Sequence, residues 1–223
     1  AWDAGTSTVT NNDGSIASQV RANPSAGFSI VSFTNGDGTV GHGLSAPPEF
    51  IITKRLDSAY TWGVYSKPTT KDAYLALNST QASSAVSGMW GSAEPTSSVF
   101  GTTSYVAPVG SSMIAYCISP VEGYSSVGSY VGNGSADGPF VYTGFKVAFL
   151  LRKQINSAQH WHIVDAERDP ENPADSWLFP NLSDVEGSGD ASRDTDLLSN
   201  GFKMRSSYTY SNQDGSTYIY LAF

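Results

Sequence analysis

The sequence predicts an all-β protein: two tandem, duplicated antiparallel β-sandwich domains, lectin-like or jelly-roll-like, with an extended N-terminal arm. Three observations lead there. First, 22 Gly, 11 Pro and abundant Ser and Thr leave little for helices, while 12 Tyr, 10 Phe and 5 Trp favour strands and oppose disorder. Second, short apolar runs are broken at short intervals by Gly, Asn, Asp and Ser, the rhythm of a sandwich or barrel. Third, the chain repeats itself. Phe50-Ile51-Ile52-Thr53-Lys54 matches Phe149-Leu150-Leu151-Arg152-Lys153, and Ser58 and Trp62 match Ser157 and Trp161, at a constant offset of 99 residues. Upstream, Gly27-Phe28-Ser29-Ile30-Val31 matches Gly123-Tyr124-Ser125-Ser126-Val127. Downstream, 112–116 matches 217–221. A period this long describes a duplicated domain, not a solenoid.

Each element follows from its local pattern. Residues 1–26 are polar and turn-rich around Asn11-Asn12-Asp13-Gly14, so they read as a connecting arm with Trp2 as its apolar anchor. The first repeat, 27–122, places strands near 28–33, 49–55, 61–65, 73–77, 98–100, 104–107 and 112–118. The second, 123–223, places them near 124–130, 146–153, 160–165, 176–179, 202–206 and 216–223. The run Val147-Ala148-Phe149-Leu150-Leu151 suits a strand covered on both faces. The segments at Asp57 and Asn156 are hairpin turns between antiparallel neighbours. Only 78–86 hints at a helix, and Ser and β-branched residues weaken it. Trp62 and Trp161 are expected in the cores.

Charge and cysteine usage narrow the function. Lys plus Arg total 12 against 20 Asp plus Glu, a formal net charge of −8, with only 14% charged residues. A nucleic-acid partner is excluded, because counterion release needs clustered cations that this chain lacks. No apolar run approaches the ~20 residues of a membrane helix, so no membrane insertion is expected. The opening Ala1-Trp2-Asp3-Ala4-Gly5 has neither a cationic start nor an apolar run, so no secretory signal is expected. Without an initiator Met, the chain is expected to be a fragment or a processed product. The single Cys117 allows no internal disulfide and reads as a small buried hydrophobe.

Catalytic signatures are absent. There is no phosphate loop and no Gly-x-Ser-x-Gly elbow. His42 sits in a Gly41-His42-Gly43 turn. His160 and His162 share one strand face, but a metal would need a third ligand, so no metal, cofactor or catalytic residue is expected. The carboxylate-rich stretch 165–175 is a Pro-stiffened, solvated loop on the plain reading. On the alternative reading, Glu167 with Asp169 or Glu171 forms the acid pair of a glycan-cleaving enzyme. Aromatic residues supply the binding candidates. Trp90, Trp177, Tyr208 and Tyr210 are candidate glycan-stacking residues, with Tyr208 and Tyr210 on one strand face, although core packing competes for each.

The segments Gly123-Tyr124-Ser125, Gly132-Asn133-Gly134-Ser135-Ala136-Asp137-Gly138-Pro139-Phe140-Val141-Tyr142-Thr143-Gly144-Phe145 and Phe179-Pro180-Asn181-Leu182-Ser183 carry a family likeness. So do Leu198-Ser199-Asn200-Gly201-Phe202-Lys203 and Gly215-Ser216-Thr217-Tyr218-Ile219-Tyr220. Together they resemble a repeated β-sandwich domain of tailed-bacteriophage virion proteins, notably tail-fibre-like proteins of marine phages. The likeness is strongest over 123–223, and 66–70 and 101–108 diverge from it. The resemblance implies a non-enzymatic virion structural protein, a tail-fibre or spike segment contributing to attachment to host-surface glycans. It also implies virion localisation, other virion proteins as partners, and a homo-oligomer, with a trimer the usual form for fibres. The alternatives are a purely architectural or capsid-decoration module and the sandwich-type glycan-cleaving enzyme.

Overall fold

The structure is a computed structural model and describes residues 2–189, 191 and 194–223. It is almost entirely antiparallel β-structure. Two compact units are present: unit 1 runs to Leu77 and resumes over Ser83–Val121, and unit 2 takes Asn78–Ala82 and Glu122–Phe223.

Unit 1 contains β1 (Val9–Asn11), β2 (Ser18–Asn23), β3 (Phe28–Thr34), β4 (Gly38–Gly41), β5 (Phe50–Arg55) and β6 (Trp62–Ser66). It continues with β7 (Ala73–Tyr74), β8 (Ser84–Ala85), β9 (Val99–Thr102) and β10 (Ser112–Ile118). Its main sheet has the order β1-β2-β3-β10-β5-β6, and a two-stranded sheet pairs β4 with β9. The period-two alternation of a strand sends Val31 and Phe33 of β3 and Met113, Ala115 and Cys117 of β10 to the same face. There they meet Ile51, Tyr65, and, from the small sheet, Val40 and Phe100. This is a sandwich core, and Cys117 is fully buried within it.

Unit 2 contains β11 (Ser126–Val131), β12 (Phe140–Tyr142), β13 (Phe149–Gln154), β14 (Trp161–Asp165), β15 (Thr195–Leu198), β16 (Gly201–Met204) and β17 (Thr217–Ala222). Its sheets have the orders β11-β17-β13-β14 and β12-β16-β15. Tyr130, Leu150, Val164, Tyr218 and Tyr220 of the first face Val141, Leu197, Phe202 and Met204 of the second. Tyr130 and Tyr218 stack with ring centroids 4.9 Å apart.

The two units share a pairing order, β3-β10-β5-β6 in one and β11-β17-β13-β14 in the other. Register agrees as well: Lys54 pairs with Trp62 as Lys153 pairs with Trp161, and Val40 pairs with Phe100 as Val141 pairs with Phe202.

Several expectations need correction. Residues 1–26 are not a separate arm. β1 and β2 extend the main sheet through β2–β3 pairing, and Val20 belongs to the core. The alternation in Ser18-Gln19-Val20-Arg21-Ala22 was masked by the polar turn before it. Trp2 stays exposed but rests its ring 5.5 Å from that of Phe28. Residues 104–107 form a turn rather than a strand, closed by Val106 N–H donating to Thr103 O at 3.0 Å. Among the described residues 78–86 hold no helix; the one helical element is the 3₁₀ turn Lys67–Thr69. Trp161 is buried as expected, whereas Trp62 is half-buried beneath the Lys54 ammonium, 5.9 Å from its ring.

Candidate functional site

A cleft lies in unit 1, on the outer side of the β4–β9 sheet. Val40 and Phe100 point inward, so Thr39 and Gly101, which pair with each other, point outward. They contribute to the lining of a cleft of about 690 Å³, the size range of small-ligand sites. Its walls come from Ser15, from Asp37 in the turn before β4, from the loop 87–94, and from the turn 103–105 after β9.

Each wall is held from behind. Ser15 and Thr39 exchange hydrogen bonds: Ser15 N–H donates to Thr39 Oγ1 at 3.0 Å and Thr39 N–H to Ser15 Oγ at 2.9 Å. Ser104 N–H donates to Asp37 Oδ1 at 2.7 Å. The buried Asn35 amide donates to the carbonyls of Thr103 and Ala107, and its own carbonyl accepts from the Thr102 hydroxyl, so the turn carrying Tyr105 is anchored in the interior. Tyr105 itself is 60% exposed at the tip of that turn.

The loop 87–94 depends on Trp90. This residue is 1% exposed; its indole N–H donates to Ala73 O at 3.2 Å, and its ring meets Tyr65 edge-on at 6.0 Å. Gly101 is the reason that loop can lie so close: a Cβ there would stand 1.9 Å from Trp90 O. Tyr65 in turn donates its hydroxyl to Glu94 Oε2 at 2.7 Å, while Lys71 N–H donates to Glu94 Oε1 at 3.0 Å. Burial first, and the Glu94 contact second, push the Tyr65 pKa well up, so the phenol remains a donor at any ordinary pH. Glu94 is therefore a carboxylate fixed at both oxygens. Each oxygen has two lone-pair directions, so acceptor capacity remains for a ligand.

The cleft holds two carboxylates, Asp37 and Glu94, with serine, threonine and glycine between them and, among the described residues, no basic side chain in its lining. That set accepts hydrogen bonds from hydroxyl groups, beside an exposed aromatic surface. Among the described residues, no group of three His, Cys, Asp or Glu is placed to hold a metal ion, and no helix is long and apolar enough to cross a membrane.

The candidates named from sequence fare differently. Trp90 touches the site only from behind, as a core residue. Trp177 is also buried, because its indole covers Gly187, where a Cβ would stand 2.4 Å from the ring. Neither offers a stacking face. Tyr208 and Tyr210 do approach each other, at 5.3 Å, with Tyr208 51% exposed. They lie in a turn rather than on a strand, and the Tyr210 ring leans on His162 at 5.7 Å. His42 is buried and structural. Leu44 N–H donates to its Nδ1 and its Nε2 lies 3.0 Å from Thr96 O, so it is held as the neutral Nε2–H tautomer; burial correspondingly lowers its pKa.

The acidic loop 165–175 uses its carboxylates for its own shape. Asp165 accepts from Arg168 N–H at 2.9 Å and Nε at 2.5 Å, and Arg168 also pairs with Glu186. Burial raises the Asp165 pKa, but the Arg168 contacts outweigh it and hold the carboxyl below its ordinary value. Asp169 Oδ2 accepts from the backbone N–H of Asp175 and Ser176, and Glu167 and Glu171 are exposed.

Sequence reasoning missed Asp37, Glu94 and Tyr105. The available signals were the Gly36-Asp37-Gly38 turn and the glycines Gly88 and Gly91, both with positive φ, which mark a loop shaped for close approach. It also missed Phe140 and Tyr142, exposed on β12 in unit 2.

A family model matches the chain over residues 1–223. The chain belongs to that family, described as domain of unknown function DUF7483. No curated protein and no solved structure matches the chain.

Proposed function

We propose that the chain is a non-enzymatic structural module of a bacteriophage virion, a tail-fibre or spike segment that contributes to attachment at host-surface glycans. The single observation that carries this reading is the unit 1 cleft. Its hydroxyl-rich lining, its two braced carboxylate acceptors and the exposed Tyr105 are the chemistry with which a protein holds a sugar: an aromatic face for the C–H side and fixed acceptors for the hydroxyls. The shared strand order and register of the two units support an internal duplication, and the resemblance to repeated virion domains agrees with it. Asp37 and Glu94 in the cleft, and Asp165 and Asp169 in the loop 165–175, each accept structural hydrogen bonds, which favours binding over hydrolysis at these groups. A single weak site suffices in a virion, because many copies act together.

The test is labelling of host cells by the fluorescent recombinant chain. Binding that is lost after periodate oxidation of surface glycans is the expected result. Absence of labelling on any host surface would leave the architectural or capsid-decoration role.

A further inference from the structure

The chemistry of the cleft allows the ligand class to be named more narrowly, an inference that rests on the glycan-attachment reading. We infer that the unit 1 cleft takes uncharged pyranoside chains and rejects sugars carrying carboxylate, sulfate or phosphate groups.

The argument starts from charge. Asp37 and Glu94 line the cleft, and among the described residues no Lys, Arg or His does. The chain as a whole carries a net charge of −8. Glu94 is fixed by donors at both oxygens, and Asp37 is fixed by Ser104 N–H, so neither turns away to admit an anion at small cost. A uronate or sialate carboxyl entering here would lose its hydration beside two like charges, with no guanidinium or ammonium to replace it. Neutral hydroxyls meet the opposite situation. They donate to the remaining lone pairs of both carboxylates and exchange hydrogen bonds with Ser and Thr hydroxyls, which serve as donor or acceptor. The Tyr105 ring stands at the rim on a turn tied to buried Asn35, so stacking on it costs little ordering.

The site works without a cation. Two carboxylates alone do not make a calcium site, which takes six to eight oxygens. Chelation therefore leaves binding unchanged.

The experiment is an NMR titration of the ¹⁵N-labelled full chain. The neutral probes are gluco-, galacto- and manno-oligosaccharides. The anionic probes are oligogalacturonate and oligosialate, and chitosan oligosaccharide is the cationic one. At least one neutral probe is expected to shift the amides of Gly38, Thr39, Gly101 and Ser104. The anionic probes are expected to bind at least tenfold more weakly at low salt. Tyr105→Ala is expected to weaken the neutral probe at least tenfold with an unchanged melting temperature. Asp37→Asn is expected to narrow the neutral-to-anionic gap. The inference is overturned if no neutral probe shifts those amides, if an anionic probe binds as well, if chitosan binds more than tenfold tighter than every neutral probe, or if Tyr105→Ala changes nothing. Cell labelling with a silent cleft would keep attachment and remove this inference. A responsive cleft without cell labelling would do the reverse.

Discussion

Lys153 is a buried cation in unit 2, and replacing it makes a quantitative prediction. It lies in β13 with 1% exposure, and its ammonium donates to the carbonyl groups of Gln154 at 2.6 Å and Thr80 at 3.4 Å. Burial pushes its pKa from 10.5 down to about 8. The fold thus disfavours the charged form by about 3 kcal/mol relative to the unfolded chain. The sign follows from proton counting. Below pH 8 both states hold the proton and the full cost is present. Between pH 8 and 10.5 the folded state has released it while the unfolded state keeps it, so stability rises with pH. By pH 9.5 about 2 of those 3 kcal/mol are recovered. Lys153→Met removes the charge and keeps the length, at the loss of two hydrogen bonds worth about 1 kcal/mol each or less. The variant should therefore be about 1–2 kcal/mol more stable than the parent at pH 7 and no more stable at pH 9.5. Urea unfolding at the two pH values measures both. Staying below pH 10 avoids the buried phenols of Tyr130 and Tyr218, whose pKa values burial raises and whose unfolded-state ionisation lowers stability above that point. A variant less stable at pH 7, or a difference that does not change with pH, would refute the argument.

Other consequences concern unit 1. Burial pushes the Cys117 thiol up to about 12 against a lesser opposing contact from Ser29, so Ellman's reagent at pH 8 should find no thiol until denaturant is added. Trp90→Ala should cost about 3–5 kcal/mol and loosen the loop that carries Glu94, whereas Tyr105→Ala should stay within about 0.5 kcal/mol; urea midpoints separate the two. Gly101→Ala places a Cβ 1.9 Å from Trp90 O and 3.2 Å from Gly91 Cα, so the loop must shift. A loss of about 1–3 kcal/mol with amide shifts confined to 87–94 and 99–103 is expected, and an unperturbed spectrum would show the contact to be unimportant.

What the sequence made legible was the part of the fold that writes itself locally. β5, β10, β13 and β17 are apolar over five or more positions, or alternate clearly; β5, β10 and β17 were placed within a residue, and β13 begins three residues later than expected. β4 was invisible because Gly38-Thr39-Val40-Gly41 has one apolar residue between glycines, and its strand character comes from pairing with β9, far along the chain. β15 was hidden in the same way within 194–198, where Thr195 and Leu197 turn inward only because β16 is beside them. The cleft was harder still, since its walls come from four separated stretches. Size also misled: Trp90 and Trp177 are the largest stacking surfaces on paper, yet large apolar rings gain most from burial, and both are in the interior. Tyr105, in the polar context Thr102-Thr103-Ser104-Tyr105, is left outside.

The comparison of the two units explains why the signal that revealed the fold could not reveal the site. Positions that point into a sandwich are constrained by close packing, so Val40 with Phe100 and Val141 with Phe202 occupy the same paired places. Positions that point outward carry no such constraint. On β4 and β9 the outward pair is Thr39 and Gly101, the small residues beneath a cleft. On β12 and β16 the corresponding surface carries Phe140 and Tyr142, both exposed, with the Phe140 ring 3.0 Å from where a Cβ of Gly201 would be. A search for likeness between the halves finds the inward residues and passes over the outward ones. Substitution at these outward positions should therefore leave the sandwich intact, whereas exchange of an inward pair such as Val40 and Phe100 should not.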